Sequence, residues 1–397
     1  GDVGTGKTVV ALFAMLLALE NGYQAALMAP TELLAEQHAG TLARFLAAIG
    51  LAPELLIGRL SPAEKTMVRS RMASGAARLM IGTHALFQER VAFHRLGLVV
   101  IDEQHRFGVE QRAALIGKGE APDVLLLTAT PIPRSLALTR YGDLDISVLR
   151  QKPPGRGLVR TTIRGPKQRD RVFEFVHAAA TRGGQAYVVL PLIEESERAD
   201  LRAAKVMAEQ LTQRWPDLSV GLVHGQLKAE ERDRVMRRFR EGEVQVLVAT
   251  TVIEVGIDVP DATIMVIDHP ERFGLAQLHQ LRGRVGRGAG ESHCILLSPG
   301  YTPLRLKAFA QTDDGFRIAE LDLQERQQGD LLGQRQHGAA EIRIARFPDD
   351  TDLLQRARGL ALAILARDPL LEGRDQLALR SRAVARYPRG ELLFRIG

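Results

Sequence analysis

The first eight residues have the composition and spacing of a loop that binds nucleotide phosphates. They match the pattern G-x-x-x-x-G-K-[ST], in which backbone N–H groups surround the phosphates. The lysine of such a loop reaches the β- and γ-phosphates, and the hydroxyl binds Mg²⁺. The predicted phosphate-binding residues are Gly1, Gly4, Thr5, Gly6, Lys7 and Thr8. The apolar run at residues 9–19 predicts a helix whose N-terminus faces the anion. A chance glycine-rich turn before a core helix is the alternative.

Two adjacent carboxylates, Asp102 and Glu103, lie at the end of a predicted strand. In sites that hydrolyse nucleoside triphosphates, one carboxylate holds Mg²⁺ and another orients or deprotonates the attacking water. We therefore assign Asp102 to the nucleotide and its metal, with Thr8 as the second metal ligand, and Glu103 to the water. A solvated, charged strand end is the alternative.

Three arginines alternate with glycines in the segment QLRGRVGR at residues 280–287. The glycines are expected to give a flexible backbone that lets guanidinium groups approach a phosphate and stabilise transition-state charge. Gln280, Arg284 and Arg287 are the catalytic candidates, and we expect them to act when a cleft between two domains closes. A basic loop that binds nucleic acid directly is the alternative.

The elements that must position these groups alternate between short apolar runs and amphipathic helices, which predicts βαβ units with parallel sheets. The predicted strands span residues 24–29, 78–82, 98–102, 124–128, 186–190, 220–223, 244–249, 263–267 and 294–297. Helices are predicted at residues 169–180 and 228–240. The fold class is therefore α/β, with two doubly wound domains and a cleft between them.

The predicted domain boundaries follow from a polar segment with two prolines and two glycines at residues 151–157, which is typical of a linker. The first domain spans residues 1–150, the second spans 158–300, and a charged helical appendage covers 301–397. A strand normally leads into a phosphate loop. We therefore expect the first domain to lack its first strand in this chain, which starts at the loop.

Composition limits the class of protein. The 397 residues are 45% hydrophobic and 25% charged, which is typical of a globular chain, and no apolar run reaches transmembrane length. Cys294 is the single cysteine, which excludes internal disulfides and cysteine-based zinc sites and predicts a reducing, cytoplasmic location. The net charge of +6 permits a polyanionic partner without proving one.

The order of these blocks resembles a superfamily 2 helicase core of two RecA-like domains, and most closely the RecG family of branched-DNA translocases. The matching blocks are residues 1–8, 29–38 (APTELLAEQH), 82–86 (GTHAL), 102–109 (DEQHRFGV), 128–134 (TATPIPR), 224–225 (HG), 249–260 (ATTVIEVGIDVP) and 272–288. The block DEQHRFG is shared mainly by RecG and the transcription-repair coupling factor.

This resemblance implies roles for residues whose chemistry alone leaves them open. The residues expected to contact the sugar-phosphate backbone of DNA are Thr31, Thr83, His224 and Thr251. Thr128 and Thr130 resemble the element that links nucleotide state to interdomain contacts, and Gly256 and Asp258 are added to the nucleotide-binding set. Taken singly, the hydroxyls could equally be ordinary helix caps.

The appendage resembles the helical hairpin and loop that couple ATP hydrolysis to duplex translocation, followed by a C-terminal tail. Its key polar positions fall on Arg305, Arg326 and Gln336. The family usually has Arg-Gly-Pro-Gly, whereas Gln327, Gln328 and Gly329 follow Arg326 here, which changes the backbone options of that turn. Without the resemblance, a charged surface helix is the natural interpretation.

The implied function is that of an ATP- and Mg²⁺-dependent DNA helicase or translocase in recombination and repair. It would remodel branched DNA by reversing stalled forks and migrating Holliday junctions, as a monomer on branched and duplex DNA. Single-stranded DNA-binding protein is a candidate partner, and no membrane partner is implied. One alternative is the motor of the transcription-repair coupling factor. The other is a non-catalytic DNA-binding fragment whose phosphate loop is unsupported.

Overall fold

The structure is a computed structural model. It describes residues 1–88, 90–103, 115, 117–119, 122–128, 145–151, 157–191, 197–250, 259, 261–286, 288, 290–330 and 351–386. The chain forms two compact units. Both sheets belong to the first unit, which is Gly1–Thr130 with Leu149–Ile318, and the second unit is Pro131–Val148 with Ala319–Gly397.

The first sheet contains five parallel strands in the order β2-β3-β1-β4-β5. The strands are β1 Gln24–Met28, β2 Glu54–Leu56, β3 Leu79–Gly82, β4 Leu96–Ile101 and β5 Asp123–Leu126. The helices of this region are α1 Lys7–Glu20, α2 Glu32–Leu46 and α3 Pro62–Ala73, with 3₁₀ turns at Ala47–Ile49 and His84–Phe87. Because the five strands are parallel, their C-terminal ends lie at one edge of the sheet, where polar residues follow them.

After Gln24, the remaining four residues of strand β1 are apolar because both of its faces are covered. Ala25 and Leu27 pack into a core shared with α1 and α2. Ala26 and Met28 point to the opposite face, into a core that includes Met72 of α3. A continuous apolar run of this kind is expected of a parallel strand with helices on both sides.

The second sheet contains six parallel strands in the order β6-β11-β10-β7-β9-β8. The strands are β6 Val159–Arg164, β7 Gln185–Val189, β8 Val220–Val223, β9 Val246–Ala249, β10 Ala262–Asp268 and β11 Ser292–Leu297. The helices are α4 Arg169–Ala180, α5 Glu197–Arg214, α6 Ala229–Arg240 and α7 Leu275–Arg282, with 3₁₀ turns at Pro166–Gln168 and Pro270–Arg272. Phe173 and Trp215 lie 6.1 Å apart between ring centroids in the core on one face.

In the described part of the chain after the second sheet, the helices are α8 Leu304–Gln311, α9 Gly315–Asp330, α10 Thr351–Arg367 and α11 Leu377–Arg386. Among the described residues, no helix has the length and apolar character needed to cross a membrane. Cys294 lies within β11 and is fully buried, and this burial raises the pKa of its thiol to about 12.

The predicted α/β class with two parallel sheets is confirmed. Each predicted strand is present, with its ends within two residues of the prediction. Strands β2 and β6 were not predicted, and both lie at sheet edges, where a strand needs less apolar sequence. The boundaries at residues 150, 158 and 300 stay predictions.

Candidate nucleotide site and the residues around it

The phosphate loop has the backbone geometry that its glycines allow. Gly4 has φ 74° and Gly6 has φ 82°, both in the left-handed region where other residues are strained. Gly6 is the N-cap of α1, and neither a side-chain cap nor an acidic residue occupies the first turn of this helix. The start of α1 thus carries no capping side chain and no carboxylate that would compete with an anion, as the phosphate-loop prediction requires.

Lys7 folds back onto its own loop. Its Nζ donates to the carbonyl oxygens of Gly1 at 2.9 Å and Asp2 at 2.7 Å. The Asp2 carbonyl also accepts a hydrogen bond from Thr5 Oγ1 at 2.9 Å. A phosphate that binds Lys7 Nζ therefore competes with these two carbonyls for its three N–H donors.

The predicted metal ligand Asp102 follows β4 and is held by two donors. Its Oδ2 lies 2.9 Å from His38 Nε2, and its Oδ1 accepts from the Glu103 N–H at 3.0 Å. Burial alone would raise the pKa of Asp102, but the His38 hydrogen bond and the nearby charges of His38 and Lys7 hold that pKa below its usual value. The carboxylate is therefore charged, as a Mg²⁺ ligand must be. His38 was not predicted as a site residue, although it ends the block at residues 29–38.

Glu103 has φ 49°, in the left-handed region. This conformation is uncommon outside glycine and asparagine and costs about 1–3 kcal/mol. Such strain is typical of functional sites, where the surrounding structure enforces it. The position next to Asp102 is consistent with the predicted role of Glu103 at the attacking water.

Arg282 is buried and bonds to other parts of the protein. It is 4% exposed, and its Nη1 donates to the carbonyl oxygens of Thr312 at 2.8 Å and Phe309 at 3.2 Å. Its guanidinium also lies 4.3 Å from the centroid of the Phe309 ring. Of the three arginines in the segment, this one therefore secures the segment to α8. Gln280 is buried in α7 and Arg284 is half-buried just after it.

The glycines of the arginine segment serve close packing as well as conformation. Gly283 has φ −66°, a value that any residue can adopt, so its conformation does not require glycine. A Cβ at Gly283 would lie 2.9 Å from Val3 Cγ1 of the phosphate loop, which is too close for any larger residue. Gly286 has φ 76° and is additionally pressed against Val159. The contact of Gly283 with Val3 brings the phosphate loop against the end of α7.

A buried pair, Asp2 and His279, joins the same two segments. His279 Nε2 of α7 lies 2.5 Å from Asp2 Oδ1, and these residues are 5% and 4% exposed. On the other side of the imidazole ring, Nδ1 lies 3.1 Å from Arg282 Nη2. Neither Asp2 nor His279 was predicted as a functional residue.

Two of the predicted DNA-contact hydroxyls, Thr31 and Thr83, lie just after strands of the first sheet. Thr31 is the N-cap of α2, and its side chain accepts from Leu34 N–H at 3.3 Å. In this structure the Thr31 hydroxyl therefore acts as an ordinary helix cap. Thr83 follows β3 and is 2% exposed, and its Oγ1 has no hydrogen-bond partner in the described part of the chain.

Two similar polar groups follow neighbouring strands of the second sheet. His224 follows β8, and its Nδ1 has no hydrogen-bond partner among the described residues. Burial, helped by the charge of Lys205, lowers the pKa of His224. Thr250 follows β9 and is 1% exposed, and its Oγ1 also has no hydrogen-bond partner among the described residues. Thr250 was not named in the prediction, which placed the contact on the next residue.

The remaining predicted residues divide into described and undescribed positions. The Thr128 carbonyl lies 3.5 Å from the Gly1 nitrogen, and the Arg305 guanidinium donates to the Glu271 carbonyl. The predicted residues outside the described part are Thr130, Thr251, Gly256, Asp258, Arg287 and Gln336. Arg326 belongs to α9, but its side chain is also outside the description. Among the described residues, no cluster of three or more His, Cys, Asp or Glu side chains could hold a metal ion.

Three protein families match consecutive parts of the chain. Residues 1–139 match the DEAD/DEAH box helicase family, and residues 168–289 match the helicase conserved C-terminal domain. Residues 312–382 match the C-terminal part of domain 3 of ATP-dependent DNA helicase RecG. The third match favours RecG over the coupling-factor alternative for the region after the second sheet.

Individual relatives carry the same name. The chain is 48% identical over 400 residues to ATP-dependent DNA helicase RecG of Synechocystis, which covers 99% of this chain and 48% of that protein. It is 50% identical over 380 residues to RecG of Escherichia coli K12, covering 93% of this chain and 54% of that protein. The chain thus spans about half the length of the curated relatives it matches.

A solved structure described as RecG bound to a three-way DNA junction is similar over most of the chain. The TM-score is 0.75 at 47% sequence identity, with 89% of this chain and 46% of that chain covered. The order of family matches, the identity over nearly the whole chain and this structural similarity agree. The chain belongs to the RecG family of ATP-dependent DNA helicases.

Proposed function

We propose that this chain is the motor and C-terminal part of an ATP-dependent DNA helicase that remodels branched DNA. The observation that carries the proposal is the contact between the phosphate loop and α7. Val3 packs on Gly283 and Asp2 pairs with His279, so the loop lies beside the segment that carries Arg284 and Arg287. A nucleotide on the loop would then be reached by groups from both sheets.

The phosphate loop fits the triphosphate of ATP. Lys7 has donors to give to the β- and γ-phosphates in place of the carbonyls it now contacts, and no capping side chain or carboxylate competes at the start of α1. Thr8 and the charged Asp102 would hold Mg²⁺, which bridges phosphate oxygens and neutralises their charge when bound. Glu103 would accept a proton from the attacking water or fix its direction, and His38 keeps the Asp102 carboxylate oriented.

The second sheet supplies the groups that act on transition-state charge. Arg284 and Arg287 would stabilise the charge on the transferring phosphoryl group, with Gln280 beside them. Thr128 and Thr130, with Gly256 and Asp258, would link this event to the contacts between the two halves. Each turnover then changes how closely the sheets approach, and that change is the motion a translocase needs.

DNA would lie along the strand ends where buried polar atoms lack described partners. Thr83, His224 and Thr250 are such groups, and Thr31 and the undescribed Thr251 belong to the same class of loop. Hydroxyl and imidazole groups of this kind position a backbone without reading its sequence. The net charge of +6 supports a polyanionic ligand.

Branched DNA is the proposed substrate because a related protein was solved on a three-way junction. Fork reversal and Holliday junction migration in recombination and repair are the activities that this substrate suggests. We further propose a monomer in the cytoplasm, with single-stranded DNA-binding protein as a partner. Arg305, Arg326 and Gln336 would couple ATP hydrolysis to translocation, so replacing Arg326 by Ala should spare DNA-stimulated hydrolysis and abolish junction unwinding.

The test is ATP hydrolysis by the 397-residue chain with a three-way junction, a linear duplex of equal length, or no DNA. We expect hydrolysis that the junction stimulates, and no hydrolysis by Lys7→Ala at the same DNA affinity. A chain that binds the junction but hydrolyses no ATP under any condition would be a non-catalytic DNA-binding module, and the proposed function would be wrong.

A further inference from the structure

Asp2 contacts both Lys7 of its own phosphate loop and His279 of helix α7. Its backbone carbonyl accepts from Lys7 Nζ at 2.7 Å, and its carboxylate Oδ1 lies 2.5 Å from His279 Nε2. The same Oδ1 accepts from the Val3 N–H at 2.6 Å, so the side chain is fixed relative to its own backbone. A change at the Lys7 contact therefore reaches the His279 contact through one rigid residue.

His279 has its two ring nitrogens fixed in different roles. Arginine carries only donors, so the His279 Nδ1 that lies 3.1 Å from Arg282 Nη2 must accept. The proton then belongs to Nε2, which donates to the Asp2 carboxylate. Both neighbours are almost completely buried, so no water competes for these bonds.

Arg282 continues the series beyond α7. Its Nη1 donates to the carbonyl oxygens of Phe309 and Thr312, at the end of α8 and just before α9 begins. The guanidinium also stacks on the Phe309 ring and lies 3.3 Å from Thr161 Oγ1. An unbroken series of hydrogen bonds thus leads from Lys7 to the turn between α8 and α9.

We propose that His279 is a positioning residue that relays the occupancy of the phosphate loop to the turn between α8 and α9. The inference rests on the proposed function, because it takes a nucleoside triphosphate or diphosphate as the ligand that captures Lys7. When phosphate takes the Lys7 N–H that now bonds to Asp2, the Asp2 carbonyl loses this donor and the loop backbone adjusts. Asp2 then shifts the His279 ring, and Arg282 transfers the shift to the carbonyls at residues 309 and 312.

The relay predicts that nucleotide alters backbone protection at a place it does not touch. The experiment is amide hydrogen exchange of the 397-residue chain with Mg²⁺ and either ADP or the imido analogue of ATP. In the parent, nucleotide should protect peptides at residues 1–8 and change exchange at residues 305–314. In His279→Phe, which keeps a ring but no nitrogen, protection at 1–8 should persist. The change at 305–314 should shrink about tenfold, within the usual range of coupling between sites.

Two further variants separate a relay from a merely structural role. His279→Gln keeps a donor for Asp2 and an acceptor for Arg282, so it should restore most of the change at residues 305–314. His177→Phe is the matched control, because His177 Nε2 also pairs with an aspartate, Asp217, at 3.0 Å, but on the surface. This control should leave both regions as in the parent.

The possible results are distinct. Protection at 1–8 with an unchanged 305–314 in the parent, or a full change at 305–314 in His279→Phe, would overturn the relay and leave nucleotide binding intact. An equal loss in His279→Gln and His279→Phe, with equal falls in urea midpoint, would also overturn it in favour of simple packing. Absence of any protection at 1–8 in the parent would overturn the proposed function and the relay together.

Discussion

Gln24 and Gln185 occupy the same position in the two sheets and make the same pair of hydrogen bonds. Gln24 begins β1, and its Nε2 donates to the carbonyls of Met72 at 2.9 Å and Ala77 at 2.6 Å. These carbonyls lie at the end of α3 and just before the neighbouring strand β3. The side chain therefore ties a helix end to the start of the central strand.

In the second sheet Gln185 begins β7, and its Nε2 donates to the carbonyls of Phe239 and, at 2.8 Å, Val244. These lie at the end of α6 and just before the neighbouring strand β9. The sequences QAALMAP at residues 24–30 and QAYVVLP at residues 185–191 match at the glutamine, the alanine and the proline. The two sheets thus share this glutamine arrangement, and a short sequence repeat accompanies it.

We predict that Gln24→Leu and Gln185→Leu each destabilise the chain by about 1–3 kcal/mol, because two buried carbonyls lose their donor. Urea unfolding of the parent and each variant would measure this. Gln213→Leu, on the exposed side of α5, is the control and should change the midpoint little. If either buried variant were as stable as the parent, water would have to hydrogen-bond to the carbonyls. The glutamine side chain would then contribute nothing to stability in that sheet.

Glu103→Gln should bind Mg·ATP with an affinity close to that of the parent but lower turnover about a hundredfold or more, because an amide cannot take a proton from water. Turnover at saturating ATP and equilibrium binding of a fluorescent ATP analogue would separate the two effects. Glu20→Gln, at the exposed end of α1, should leave both values unchanged. Nearly normal turnover in Glu103→Gln would show that another group activates the water.

Arg287→Ala should bind ATP about as tightly as the parent and lower turnover about a thousandfold, since an arginine finger acts on charge that develops only in the transition state. Arg240→Ala, exposed at the end of α6, is the control. The measurement is again binding affinity against turnover at saturation. If ATP affinity fell sharply while turnover at saturating ATP was preserved, Arg287 would bind ATP in the ground state. It would then not act through closure of the cleft between the two domains.

Cys294 should make the chain less stable in alkali. Its pKa is about 12 in the folded chain, against about 8.5 for an unfolded thiol, so above the lower value only the unfolded state loses the proton. Stability must then fall as pH rises from 8.5 towards 12. Between pH 8 and pH 10 the parent should lose about 2 kcal/mol more than Cys294→Ala, measured by urea unfolding. Equal slopes for the two chains would mean that the thiol ionises in the folded state.

The fold was largely predictable because its signals are local. Strand β1 is apolar after Gln24, the first eight residues match a phosphate-loop pattern, and Asp102 and Glu103 follow an apolar run. Strand β2 is three residues long, and four of the six residues of β6 are threonine or arginine. Both are edge strands, for which burial on both faces does not impose an apolar sequence.

The contacts around the site were not predictable because they depend on distant parts of the chain. Asp2 and His279 are separated by 277 positions, and nothing in either segment marks a buried pair. The need for glycine at position 283 arises from Val3, which the local pattern of glycines and arginines does not include. Arg282 resembles its neighbours in sequence and differs from them only in what surrounds it.

The pairing of β6 with β11 has a consequence for how the chain is made. Val159 pairs with Ser292, and β11 is the single neighbour of β6 in the described sheet. The strands described for the first sheet are all synthesised by Leu126, so that sheet can assemble early. At ribosomal rates β6 waits about ten seconds for its partner, with its backbone N–H and C=O groups unpaired. Pairing of β6 with a neighbouring nascent chain should therefore respond to translation speed between residues 164 and 297.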